Sequence, residues 1–479
     1  MATHASGSRR PSPLTGRPVS RRTLLSASAR LGLGTAALGT LGTALSACSG
    51  DGDGPLSFWQ WYAPQEGGTY AVEAQSGWFT TLVEDWNALG GRQVELTYIP
   101  VSEYIEGTQL QSAFAAGEGP DIFVISPGDF LRYHNGDVLY DLTDALGERG
   151  TADFHASALA TRTVGDRLFG LPMEAEPVTM FYDVRAFEDA GLSEGDIPRT
   201  WDDLLSVADR LTTDDRYGLL FETAPNVYQN FTWYPFLWQA GGAVVDESGL
   251  LPRFDSPETV RALALWQDAI ESGVAPRTTQ GGGGGDLVAN LAGGYAAMAP
   301  MVTAGGSFLE TGAPDFEYGM FPLPVPDADT DPVTVLGGWS FCVNSQGRDP
   351  AAAAEFCAWA LAGEESTERM ASWAFDAKKS LPVRTSVMRH AQENGLFGGD
   401  ELMSYAAFEA AGFDPDDPTD GTTPLGRGEP RFTPAVVQAV TDAIQAVQLS
   451  GVEPEIAAET AHEQIAVELE NYSGAPLGS

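Results

Sequence analysis

Between residues 56 and 126 short apolar runs alternate with segments of helical period, and this limits the fold more than any other feature of the chain. "LSFWQWY" (56–62), bounded by Pro55 and Pro64, has the pattern of a buried strand. "GWFTTLVEDWNAL" (77–89) sets Phe79, Leu82, Val83 and Trp86 at helical spacing, and "VELTYIPV" (94–101) alternates as a strand does. "EYIEGTQLQSAFAAG" (103–117) reads as a helix stopped at Gly117, and "PDIFVIS" (120–126) as another buried strand. This order predicts parallel βαβ units, because parallel strands need a long crossover. The expected fold class is therefore α/β. Ligands of such sheets bind beyond the carboxyl ends of the strands. Here those ends are Trp61-Tyr62-Ala63, Pro100-Val101-Ser102 and Ser126-Pro127-Gly128-Asp129.

Further along, Thr200 is placed to cap a helix in "RTWDDLLSVADRL", with Asp202 and Asp203 in the first turn. Ser256 does the same ahead of Pro257 in "FDSPETVRALALWQDAIESGVAP". The run "GGGGG" (281–285) predicts a mobile loop. A length of 479 residues allows two or three domains. The net charge of −40 repels nucleic acid and phosphorylated ligands in the absence of a basic pocket, and the chain has only two lysines, Lys378 and Lys379. We read the acidity as solubility.

The first 47 residues carry "SRRTLL" ahead of a weakly apolar stretch and end in "LSAC". Paired arginines before such a stretch resemble a twin-arginine export signal, and the ending resembles a lipobox acylated on Cys48. Arg30 and many glycines argue against a spanning helix. Residues 1–47 are thus expected to be a signal peptide and 48–55 a lipidated tether that anchors the protein to the outer face of the cell membrane. Of the remaining cysteines, Cys342 in "WSFCV" and Cys357 in "EFCAW" could pair in an oxidising compartment, but the favoured reading is two buried thiols. No ligand-spaced His/Cys cluster suggests a metal, and no GxSxG elbow or Ser/His pairing suggests a hydrolase.

The motifs "AAGEGPDIFV", "LFGLP", "MFYDVRAFEDAGL", "TWDDLLSVADRLT", "LWQAGGAVVD", "FDSPETVRAL", "GGYAAMAP", "YGMFPLP", "GGWSFCVN", "AAAEFCAWAL" and "LPVRTSV" run in one order over roughly residues 55–470. That order resembles the family-one extracellular solute-binding proteins of bacterial ABC importers, the sugar-binding group that includes maltose-binding protein. The resemblance implies a two-lobe, type II periplasmic-binding-protein fold with a ligand cleft between lobes. Lobe one would take residues 55–173 plus 325–362 and lobe two 177–322 plus 365–479, with hinges at "PMEAEP" (172–177) and "LPVP" (323–326). It also implies a monomer that needs no cofactor, has no enzymatic activity, and delivers a sugar or oligosaccharide to a membrane permease. A polyamine binder of the same architecture and, more remotely, a secreted glycoside hydrolase using Glu174 and Asp129 are the alternatives.

A sugar pocket needs aromatic faces for the C–H side of the ring, and carboxylates, amides or arginine for the hydroxyl rim. The candidates are Trp61, Tyr62, Ser126, Asp129 and Trp339 in lobe one, with Glu174, Glu176, Tyr228, Asn230, Trp233 and Arg384 at the hinge and in lobe two. Phe58 and Trp59 are assigned to the core, and the two glycines before Trp339 are expected to let the backbone approach a ligand. The family's tryptophan after the "AM" motif is missing; Met301 and Phe308 stand in that region instead.

Overall fold

The alternation of the first segment becomes three parallel strands, β1 (Leu56–Gln60), β2 (Val94–Tyr98) and β3 (Ile122–Ile125), with β1 between the other two. A computed structural model of the protein describes residues 54–62, 73–105, 108–281, 286–396 and 426–478. The signal segment, Cys48, most of the tether and glycines 282–285 lie outside the described residues. A helix over Glu73–Ala88 makes the first crossover and buries Trp78, Phe79, Leu82 and Val83. The second crossover differs from the single helix expected over 103–117. It forms a short turn at Val101–Tyr104 and a helix at Gln109–Ala116, which Gly117 ends in a left-handed conformation.

A β-hairpin, β4 (Thr163–Val164) and β5 (Arg167–Leu168), precedes β6 (Leu171–Pro172). The chain then enters a second sheet, in which β7 (Val178–Asp183) lies between β8 (Met298–Val302) and β9 (Tyr318–Phe321), antiparallel to both. It returns through β10 (Thr334–Leu336) to β11 (Ser340–Val343), which joins the first sheet antiparallel to β3 and β6. β12 (Gly426–Gly428) pairs with β10. The first sheet has the order β2-β1-β3-β11-β6, so the parallel reading holds for β1 to β3 and the later strand reverses.

The predicted caps form. Thr200 accepts from the Asp203 backbone N–H while the Asp203 carboxylate accepts from that of Thr200, a reciprocal pair that starts the helix Trp201–Leu211. Ser256 caps the helix Pro257–Glu271. Cys342 and Cys357 are free, buried thiols.

Helix packing divides the C-terminal third of the chain. Helices Pro434–Ser450 and Pro454–Asn471 pack on each other, on Pro257–Glu271 and, for the first, on Val227–Gln239. The short helix Thr367–Ala371 instead joins a π-helix at Ser372–Lys378, which packs against the helix 73–88 of the first sheet. Residues 367–378 thus sit with the first sheet, although sequence order had assigned 365–479 as a whole to the second lobe. Met301 and Phe308 are buried in a separate small core with Phe181 and Leu291. Among the described residues no helix is long and apolar enough to cross a membrane.

Candidate functional site

Within β1 the side chains of Leu56, Phe58 and Gln60 are buried while Ser57 and Trp59 are half-buried, the period of two expected of a strand. The Tyr62 N–H donates to the Gln60 side-chain carbonyl, fixing the chain as it leaves the sheet. Trp61 and Tyr62 then stack on each other with ring centroids 3.9 Å apart. Trp61 meets Trp339 edge-on at 5.2 Å, and Tyr62 lies against Phe79 and Trp373 at 5.1 and 5.2 Å. The expected division of these aromatics is therefore corrected. Trp61 and Tyr62 are 6% and 3% exposed, whereas Trp59 and Trp339 are only half-buried. The ring pair turns beneath Trp339 and Trp373 instead of standing open at the strand end.

The segment between β6 and β7 holds this cluster. Met173 N–H donates to the Trp339 carbonyl (2.9 Å), Ala175 exchanges two bonds with Leu381, and Gly337 N–H donates to the Glu176 carbonyl (3.1 Å). The Glu174 carboxylate accepts from the Trp339 backbone N–H at 2.8 Å and from Trp373 Nε1 at 2.7 Å. A side chain at Gly338, whose φ is +116°, would begin 2.0 Å from the Glu174 carbonyl oxygen. One at Gly337 would meet the Phe231 ring at 2.7 Å. The two glycines therefore admit the neighbouring backbone and Phe231, and not, as the sequence suggested, a ligand.

The Glu176 carboxylate lies 3.1 Å from Lys378 Nζ, with both side chains almost fully enclosed. The contact is an ion pair without an aligned hydrogen bond. Lys378 Nζ also stands 5.5 Å from the Trp61 ring and 5.1 Å from the Tyr62 ring. Burial, then the neighbouring Glu176 charge, pushes the Glu174 carboxyl up to about 7, against the opposing pull of Lys378 and of its two N–H donors. Three buried polar atoms of β1 and its end, Gln60 Nε2, Trp61 Nε1 and the Tyr62 hydroxyl, find no partner among the described residues.

A second polar group lies at the end of β3. Ser126 and Asp129 are half-buried there, and Asp129 contacts Arg132 at 3.4 Å. Burial raises the Asp129 carboxyl above its ordinary range. A side chain at Gly128 would begin 2.4 Å from the Glu429 carboxylate. Burial pushes Glu429 up to about 8, opposed by Arg162 and reinforced by Asp129. Arg162, itself lowered to about 10 by burial, donates to Ser340 Oγ (2.5 Å), to the Gly338 carbonyl (2.7 Å), to the Ala158 carbonyl (2.8 Å) and to Thr161 Oγ1 (3.1 Å). It thereby ties the glycine pair to the first sheet. Tyr228 is half-buried, stacks on Phe231 at 6.2 Å and accepts from the Val302 N–H at the end of β8.

Three sequence candidates have other roles. Trp233 is completely enclosed and packs near Phe254 at 5.8 Å, so it belongs to the core. Asn230 donates to the Val437 carbonyl (2.9 Å) and accepts from Thr441 Oγ1 (3.1 Å), fastening two helices together. Arg384 binds Asp153 (2.7 Å), Ser366 Oγ (2.6 Å) and the carbonyls of Leu361 and Gly363. Its guanidinium is committed to the protein's own loops. In each case an apolar or local context in the sequence gave no sign of which face would be covered.

Sequence reasoning missed Gln60, Arg162, Trp373, Lys378 and Glu429. Lys378 had a visible signal, as one of two lysines in a strongly acidic chain. The others depend on contacts between residues far apart in the chain. Among the described residues no group of three or more His, Cys, Asp or Glu could hold a metal ion.

Residues 70–365 match the profile of the bacterial extracellular solute-binding proteins. A lipoprotein encoded in the oleD 5′ region of Streptomyces antibioticus is 28% identical over 300 residues, 60% of this chain and 64% of that protein. The chain thus spans less than two thirds of that relative. The diacetylchitobiose-binding protein DasA of Streptomyces coelicolor is 25% identical over 349 residues, covering 68% and 77% of the two chains. Among solved structures, a Thermotoga lettingae ABC-transporter solute-binding protein bound to α-D-tagatose has a TM-score of 0.70 at 23% identity, over 87% of this chain and all of that one. The cyclic α-maltosyl-1,6-maltose-binding protein of Arthrobacter globiformis has a TM-score of 0.69 at 22% identity, over 88% of this chain and all of that one. These likenesses give the α/β fold as that of the type II periplasmic solute-binding proteins. With the family profile spanning more than half of its length, this chain is a member of the bacterial extracellular solute-binding protein family.

Proposed function

We propose that this protein is lipid-anchored through Cys48 and captures a neutral sugar or oligosaccharide at the Trp61–Tyr62–Trp339 cluster for delivery to a membrane permease. The observation that carries the reading is the unpartnered polar edge of that cluster. Trp61 Nε1, the Tyr62 hydroxyl and Gln60 Nε2 are buried at the carboxyl end of β1 without a hydrogen-bond partner among the described residues. Leaving buried polar groups unpaired is costly, and sugar hydroxyls are suitable partners. Half-buried Trp339 offers a face for the C–H side of a pyranose ring. Its backbone N–H is already held by Glu174, which fixes the ring in place. Ser126, Asp129 and Tyr228 are the further polar groups within reach of this reading. The sugars named in the tagatose, cyclomaltosyl-maltose and diacetylchitobiose relatives agree with it.

The lobe division belongs to the same proposal, with one revision from the helix packing: residues 367–396 go with the first sheet, while 178–321 and 434–471 form the other lobe. The segments 172–177 and 323–326 are the hinges, and a ligand that bridges both lobes favours the closed form. Binding rather than hydrolysis is supported by Glu174, because both of its carboxylate oxygens accept bonds from protein N–H groups.

The test is calorimetric titration of the purified protein with neutral mono- and oligosaccharides, with product analysis of each mixture. Saturable binding with the sugar recovered intact, weakened about tenfold by Trp339→Ala, supports the reading. Absence of heat with every sugar, or cleavage of one, overturns it.

A further inference from the structure

Lys378 occupies a setting that would otherwise suit a positively charged ligand. Its ammonium lies 3.1 Å from the Glu176 carboxylate and within 5.5 Å of two stacked aromatic rings, and its side chain is 3% exposed. A carboxylate beside the faces of a tryptophan and a tyrosine is the arrangement that binds organic ammonium groups. The backbone goes to some trouble to deliver this lysine. Residues 372–378 form a π-helix, a rare and less favourable turn, and the next residue, Lys379, is a non-glycine with a left-handed φ of +58°. The Gln75 side chain holds the Ala377 carbonyl (3.1 Å), and Ser380 N–H donates to the Ala374 carbonyl. Lys379 is directed elsewhere, toward Glu310 at 3.9 Å.

We propose that Lys378 is a specificity-determining residue: its ammonium fills an organic-cation subsite beside Trp61, Tyr62 and Glu176, so that the protein rejects amines and polyamines and leaves the cluster to uncharged ligands. A protein with a net charge of −40 draws cations to its surface. An empty aromatic–carboxylate cage on such a protein would be filled by the amines around it. Lys378 neutralises Glu176 from within and closes the cage to them. The inference rests on the proposed binding cluster for its purpose, but its test uses no sugar.

The test is chemical rescue of Lys378→Ala in the otherwise complete protein. The substitution removes the side chain beyond Cβ and leaves room for a short alkylammonium ion. The thermal midpoint is measured in n-butylammonium chloride, in n-butanol and in sodium chloride of equal concentration. Butylammonium alone should raise the midpoint of the variant, with an apparent affinity at least about tenfold above any effect on the unsubstituted protein. Equal response to butylammonium and sodium chloride, or an equal response from both proteins, overturns the proposal. If the variant does not fold, the unsubstituted protein still decides the matter. With only two lysines, ¹³C-lysine labelling gives two side-chain signals. One set should be shifted upfield by the rings and should stay unmoved when butylammonium is added. Two unshifted sets, or displacement by the amine, refute the cage. Rescue by butylammonium without binding of any sugar would keep this assignment and discard the sugar reading; sugar binding without rescue would do the reverse.

Discussion

Replacing Gly338 by alanine tests whether the β6–β7 segment and the Trp339 strand form one rigid unit. The φ of +116° is a conformation that only glycine adopts readily, so a side chain there costs about 1–3 kcal/mol in strain. The new Cβ would lie 2.0 Å from the Glu174 carbonyl oxygen and 2.9 Å from its carbon, and both atoms are backbone. The clash is relieved only if the segments separate. That stretches the Met173–Trp339 bond (2.9 Å), the Trp339–Glu174 bond (2.8 Å) and the Arg162–Gly338 bond (2.7 Å). With hydrogen bonds at about 1 kcal/mol each, and more for those to charged groups, the total reaches roughly 4–6 kcal/mol. That is a large part of the 5–15 kcal/mol typical of a folded domain. Gly165 is the control: its φ is +63° and an added Cβ meets nothing within 4 Å, so Gly165→Ala should cost only about 1 kcal/mol. Urea unfolding followed by tryptophan fluorescence gives both values. Loss of sugar binding should accompany the Gly338 change alone. If the two variants differ by less than about 1 kcal/mol, the close approach of the two segments is not what holds Trp339 in place.

Glu174 and Glu429 are pushed up to about 7 and about 8 from an ordinary value of 4.5, so the native state keeps protons that the unfolded chain has released. Stability should therefore be greatest near pH 5 and fall as the pH rises to 8; Glu429→Gln should flatten the upper part of the fall, and a thermal midpoint that climbs over this range contradicts the assignment. Trp233→Ala should cost about 3–5 kcal/mol because it empties a fully enclosed core position. Trp339→Ala, at a half-buried ring, should cost less stability and more ligand affinity, and denaturation with calorimetry separates the two. Burial pushes the Cys342 thiol up to about 12 and raises Cys357 as well, so neither should react with a thiol reagent until urea unfolds the chain. Rapid labelling of the native protein would place one of them at the surface.

By itself the sequence determined the α/β class, the parallel run of β1 to β3 and the caps at Thr200 and Ser256, and it favoured buried thiols at Cys342 and Cys357. Each of these depends on residues near one another in the chain: apolar period, a cap three residues from its partner, or a run too apolar to face water. It also pointed to the ends of the strands, where Trp61, Tyr62, Ser126 and Asp129 are found. What only the tertiary structure decided was which of the candidates meet. The Glu174 carboxylate is bound by residues 165 and 199 positions further on, and Lys378 reaches Trp61 and Tyr62 from the far end of the chain. Trp233 and Trp339 look alike as exposed or buried aromatics in a sequence. The first is enclosed by helices that follow it, and the second is left half-open beside a crossover that only its two preceding glycines can admit. Period and composition report how a segment is patterned, whereas coverage by a distant segment is a property of the assembled fold.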